Sequence, residues 1–193
     1  MAFEFLIFEP FLVSTGVVAL AEVGDKTQLL SMCLAARFRR PVPIILGIFF
    51  ATILNHFGAG LAGTVVGALL EGPWMRWVLG LSFLAVAVWA LIPDKLEDDG
   101  PKGHWGAFCA TAITFFFAEM GDKTQIATVA LAAQYQAVVL VTLGTTLGMM
   151  IANVPAVLFG NGLAGSLPLK AIRSAAAGVF ALLGILALAG VGT

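Results

Sequence analysis

The chain has 193 residues, of which 60% are hydrophobic and only 11% charged, and its formal net charge is −1. Soluble domains carry about 25% charged residues, so this composition, with a mean hydropathy of +1.01, excludes a soluble protein and reads as an all-α integral membrane protein. No basic surface is available for nucleic acid, and Cys33 and Cys109 lack metal-type spacing and read as small apolar packing residues.

A spanning helix needs about 20 mainly apolar residues. Six stretches supply them: 10–36, 41–70, 73–93, 105–134, 136–160 and 169–191. Period-2 alternation is absent, which rules against a barrel. The start, Met1-Ala2-Phe3-Glu4, has no basic n-region, so the first stretch is expected to remain as a span rather than be cleaved.

The first stretch contains Glu22-Val23-Gly24-Asp25-Lys26-Thr27-Gln28, two carboxylates and an ammonium within otherwise apolar sequence. An ionisable group at mid-bilayer costs at least about 2.5–3.5 kcal/mol, so its presence marks function. On a continuous helix Glu22 and Asp25 share a face, and Lys26 stands in the favourable order for an ion pair with Glu22. Gly24 permits either close helix packing or local unwinding that frees carbonyls as ligands. Thr27 and Gln28 offer neutral oxygens, for a cation or for interhelical hydrogen bonds.

The first connection, Arg39-Arg40-Pro41, ends this stretch, and the second stretch carries Asn55 and His56 near its middle. These are read either as cavity or proton-relay groups or as ordinary buried hydrogen-bonding groups. Trp74, Trp77 and Trp105 lie near span ends, as interfacial anchors do. An acidic linker follows the third stretch, Pro93-Asp94-Lys95-Leu96-Glu97-Asp98-Asp99-Gly100-Pro101, and reads as a solvated loop.

The fourth stretch repeats the signature as Glu119-Met120-Gly121-Asp122-Lys123-Thr124-Gln125. From Glu22–Gly63 to Glu119–Gly160 the halves align without a gap at an offset of 97, with 15 of 42 positions identical. Asn153 of the fifth stretch then occupies the place of His56, and Pro155 predicts a kink. Each half holds three spans, an odd number, so the second half enters from the opposite side and the repeat is expected to be inverted. The predicted organisation is a first three-helix repeat over 1–93, a cytoplasmic linker over 94–104 and a second repeat over 105–193. Seven basic residues outside the signatures (Arg37, Arg39, Arg40, Lys95, Lys102, Lys170 and Arg173) fall on one side, and only Arg76 on the other. The positive-inside rule puts the seven in the cytoplasm and both termini outside.

Glu22 and Glu119 each lie about 20 Å along their spans, near the middle of a hydrocarbon core about 30 Å thick. Crossing of the two signatures there would gather Glu22, Asp25, Glu119 and Asp122 into an oxygen-rich site suited to a hard divalent cation. Thr27, Gln28, Thr124 and Gln125 are candidate further ligands. Lys26 and Lys123 either stabilise the empty or protonated site or act as static counter-ions. Clustered carboxylates raise one another's proton affinity, which couples cation loading to protons.

The doubled Glu-x-Gly-Asp-Lys-Thr signature on two triple-span halves resembles the Gdt-one family of cation transporters. The resemblance covers nearly the whole chain, and both signatures match without departure. It implies transport of manganese or calcium coupled to protons, at Glu22, Gly24, Asp25, Lys26 and Thr27 and at Glu119, Gly121, Asp122, Lys123 and Thr124. The short termini resemble those of a compact bacterial member, which implies export across the inner membrane. The expectation is a non-enzymatic antiporter with no prosthetic group, whose partners are the cation, protons and lipid, with a homo-oligomer left open. Export of another small solute and an intramembrane metal-dependent hydrolase are the alternatives. The hydrolase lacks a Ser–His or Cys–His arrangement.

Overall fold

The computed structural model describes residues 2–70, 73–92, 106–159 and 168–191. The linker over 94–104, Trp105 and most of the fifth connection lie outside the described residues. Eight helices are present among those described: α1 (Ala2–Glu22), α2 (Lys26–Phe38), α3 (Pro41–Leu69), α4 (Pro73–Ala90), α5 (Ala107–Glu119), α6 (Lys123–Tyr135), α7 (Val138–Phe159) and α8 (Leu169–Leu188). Four of the six predicted stretches become single helices, α3, α4, α7 and α8.

The other two do not. The stretches over 10–36 and 105–134 are each split in two at their signature, the local unwinding that is one of the two readings of Gly24 and Gly121. The cause is local. Gly24 and Gly121 take φ of +81° and +78°, a left-handed conformation that glycine enters without a Cβ penalty. The next residues, Asp25 and Asp122, are extended at φ/ψ of −84°/169° and −80°/166° and start α2 and α6. The two outer ends also match, because α2 stops at Arg39 and α6 at Gln136, both left-handed and separated by the same offset of 97. Pro41 opens α3 at its first turn, where a missing N–H costs nothing.

Alongside a buried apolar core, many polar side chains are inside and many large apolar ones outside. Asn55 and His56 are buried on α3 while neighbouring Leu54 is 63% exposed, and Asn153 is buried on α7 beside exposed Ile151. That inversion of the soluble pattern is what a bilayer solvent selects. Helices α3, α7 and α8 are each long and apolar enough to cross a membrane. Trp74 and Trp77 are exposed on the first turns of α4. Cys33 and Cys109 are also exposed, on helix surfaces rather than packed inside as expected.

Helix α1 packs along α7, α3 along both α5 and α6, α2 against α7, and α4 pairs with α8. Glycines set the two long contacts. A Cβ on Gly47 of α3 would meet the Phe108 carbonyl and Thr111 of α5, and one on Gly144 of α7 would meet the Phe11 carbonyl and Ser14 of α1. All these positions correspond at the offset of 97. Gly144→Ala should therefore destabilise the protein by about 1–3 kcal/mol, because the backbone of α1 must yield. Gly58→Ala, which meets nothing within 4 Å among the described residues, should be neutral or slightly stabilising. Thermal unfolding in detergent compares the two.

Candidate metal centre

The two breaks bring the signatures together. Glu22 and Glu119 close α1 and α5, Asp25 and Asp122 precede α2 and α6, and all four carboxylates are at most 2% exposed. Ligand oxygens of Glu22, Asp25 and Asp122 lie within 4.8 Å of one another. Glu119 is equally buried but outside that triad.

The lysines reach across rather than along their own helices. Lys26 Nζ lies 2.9 Å from Asp122 Oδ1, and Lys123 Nζ lies 2.8 Å from Asp25 Oδ1. This corrects the expected pairs of Lys26 with Glu22 and Lys123 with Glu119. With the helix broken at the glycine, residues four apart no longer share a face, so each ammonium turns to the other signature. The two ion pairs are each other's counterparts at the offset of 97. Lys123 is 4% exposed at its side chain and Lys26 27%.

Threonines and glutamines hold the breaks. Thr27 Oγ1 donates to Glu22 Oε2 at 2.5 Å and Thr124 Oγ1 to Glu119 Oε2 at 3.1 Å, contacts that a continuous helix would forbid. The other oxygens, Glu22 Oε1 and Glu119 Oε1, are buried with no hydrogen-bond partner among the described residues, as is Asp122 Oδ2. Buried carboxylate oxygens without donors are costly unless a cation or a proton compensates them. Gln28 Oε1 accepts the Gly24 N–H at 2.8 Å, and Gln125 Oε1 accepts the Gly121 N–H at 2.7 Å. Each glutamine thereby caps the amide that the broken helix would leave unpaired.

The surrounding polar residues tie this centre to α3, α5 and α7. Gln28 Nε2 donates to the Ala152 carbonyl, and Gln125 Nε2 donates to Asn55 Oδ1, whose own amide bonds the Phe116 carbonyl. Asn153 donates to the Met149 carbonyl and accepts from Ser31 Oγ at 2.8 Å. His56 is fully buried, and neither ring nitrogen has a partner among the described residues, so no described residue makes the ordinary buried hydrogen bond considered for it from sequence. Ser31 and Arg173 were not singled out from sequence as site residues. Arg173 Nη2 reaches the Gly24 carbonyl at 3.2 Å. The offset of 97 could have pointed to both, since it pairs Ser31 with Thr128 and Arg173 with Arg76.

A membrane protein built round two interrupted helices, with four carboxylates and one ammonium buried at the breaks, has the architecture of an ion transporter. Comparison with known proteins narrows the class. Residues 10–98 and 107–192 match the family model described as "Divalent cation/proton antiporter GDT1". A Vibrio cholerae protein named "Putative manganese exporter" is 52% identical over 174 residues, covering 90% of this chain and 87% of that one. A GDT1-like protein of Synechocystis is 28% identical, covering 81% and 85% of the two chains, and "GDT1-like protein 5" of Arabidopsis thaliana is 23% identical, covering 93% and 95%. No solved structure matches. The chain belongs to the GDT1 family of divalent cation/proton antiporters, and is a transporter rather than an enzyme.

Proposed function

We propose that this protein exports manganese from the cytoplasm in exchange for protons, with calcium as a second substrate, through one site formed by Glu22, Asp25 and Asp122 with Glu119 alongside. The observation that carries this reading is the triad of buried carboxylates within 4.8 Å, spanned by two ion pairs that cross between the signatures. Four ionised carboxylates and two ammoniums sum to −2. One divalent cation or two protons neutralise that charge equally, so an exchange of the two leaves the buried site neutral at each step. All-oxygen donors favour manganese, calcium or magnesium over zinc and copper. The name of the Vibrio cholerae relative supports manganese and the outward direction.

Thr27 and Thr124 orient the glutamates in this scheme, and Gln28 and Gln125 keep the breaks open. The halves over 1–93 and 105–193 act as inverted repeats joined by the 94–104 linker, with both termini outside the inner membrane. The repeated glycine contacts of α3 with α5 and of α7 with α1 support that arrangement. Purified protein in liposomes loaded with a pH-sensitive dye tests the proposal. An inward manganese gradient should drive protons out of the vesicles, and an imposed pH gradient should drive manganese uphill. Manganese flux without any proton movement would leave a uniporter and overturn the exchange.

A further inference from the structure

The two signatures are alike in sequence but unlike in access. Gly24 is buried, with the Leu169 side chain of α8 lying over it and Arg173 holding its carbonyl. Gly121 is exposed, beside Met120 at 51%, and among the described residues nothing lies within 4 Å of the position a Cβ would take. Arg76, the counterpart of Arg173 at the offset of 97, is exposed on α4, and its guanidinium stands 5.9 Å from the Trp77 ring centroid rather than on a signature.

Helices α4 and α8 form a single antiparallel unit. Gly80 lies against the Gly184 carbonyl and the Leu188 side chain, and Gly184 against the Gly80 carbonyl and the Leu84 side chain, so the two backbones approach closely at the glycines. Arg76 and Arg173 sit toward opposite ends of this unit, about 22 Å apart along its axis at 1.5 Å per residue. The unit rests on α1 and α6, one helix from each signature. A small tilt of such a rigid pair raises one end as it lowers the other.

We propose that Arg173 and Arg76 are alternating latches, and that tilting of the α4–α8 unit exchanges an Arg173 contact on Gly24 for an Arg76 contact on Gly121. Arg173 with Leu169 closes the entrance on the side that carries Arg37, Arg39 and Arg40, while the entrance at Gly121 stands open. The carbonyl that Arg173 holds is a backbone oxygen next to the carboxylates, so latching both blocks the path and withholds a ligand. This rests on the transport reading above, but not on which cation is carried.

The test uses the full chain with Cys33→Ser and Cys109→Ser and one reporter cysteine, Val23→Cys or Met120→Cys, at matched positions beside the two glycines. Labelling by a membrane-impermeant maleimide is measured from each side in oriented vesicles. Met120→Cys should label from the side opposite Arg37–Arg40, and Val23→Cys poorly from either. Arg173→Ala should raise Val23→Cys labelling about tenfold and lower that of Met120→Cys, since a charge-assisted hydrogen bond weights the two states by roughly that factor. Arg173→Lys should fall between, and Arg76→Ala should leave Met120→Cys reactive while slowing exchange. Unchanged labelling of both reporters in Arg173→Ala would overturn the latch, as would a Met120→Cys that faces lipid and never labels. If the reporters shift as expected while no cation moves, the latch stands and the transport reading falls.

Discussion

Glu22→Gln is expected to weaken manganese binding at least about a hundredfold and to abolish manganese-driven proton exchange. Glutamine keeps the shape and can still accept the Thr27 hydroxyl that lies 2.5 Å from Glu22 Oε2, so the change removes charge with little disturbance to the break. At 4 Å and an effective dielectric constant near 20, one unit charge pair is worth about 4 kcal/mol. A divalent cation doubles that, so discounting by half for desolvation still leaves about 4 kcal/mol, above a hundredfold in affinity. The matching change in the second signature should be milder. Glu119 is outside the triad whose oxygens lie within 4.8 Å, so Glu119→Gln should reduce affinity less than Glu22→Gln while still impairing proton exchange. Titration calorimetry with manganese, beside flux in liposomes, separates the two. Equal losses of affinity would mean that both glutamates ligate the ion alike, and an intact Glu22→Gln would remove Glu22 from the site.

That asymmetry could not be read from sequence, where the two signatures are interchangeable. What could be read were the features that depend on residue type and spacing alone. Burial of the four carboxylates followed from their apolar surroundings, and the ends of α2 and α6 fall close to the ends of the stretches over 10–36 and 105–134. Unwinding at Gly24 and Gly121 was one of two open readings, because glycine serves tight packing and left-handed φ equally well. Deciding between them required knowing that Gln28 and Gln125 sit where they can cap the freed amides. The ion pairs went astray for the same reason. Spacing rules hold only while the helix continues, and here each lysine follows a break. Arg173 was visible only as one charge among seven, since its contact with Gly24 spans 149 positions and depends on where α8 docks.

Lys123→Met should lower the stability of the metal-free protein by about 3–5 kcal/mol, the cost of removing one partner from a buried ion pair, and at the same time tighten manganese binding about tenfold. The two effects share one cause. Lys123 lies 2.8 Å from Asp25 Oδ1 with its side chain 4% exposed, so it occupies the carboxylate that the cation would use. Without it the empty site has excess negative charge and little water to solvate it, whereas the loaded site no longer has to displace an ammonium. Manganese should therefore raise the unfolding temperature of Lys123→Met more than that of the parent protein, following the linkage between ligand affinity and stability. Turnover should fall, because a cation that meets no competitor leaves slowly. Lys26→Met should show the same pattern at smaller size, as its side chain is 27% exposed and water already screens its pair with Asp122. Thermal unfolding with and without manganese reads both effects in one experiment. Weaker rather than tighter binding in Lys123→Met would make the lysine a static support that positions Asp25. The measurement thus decides between a counter-ion that yields to the cargo and one that remains in place.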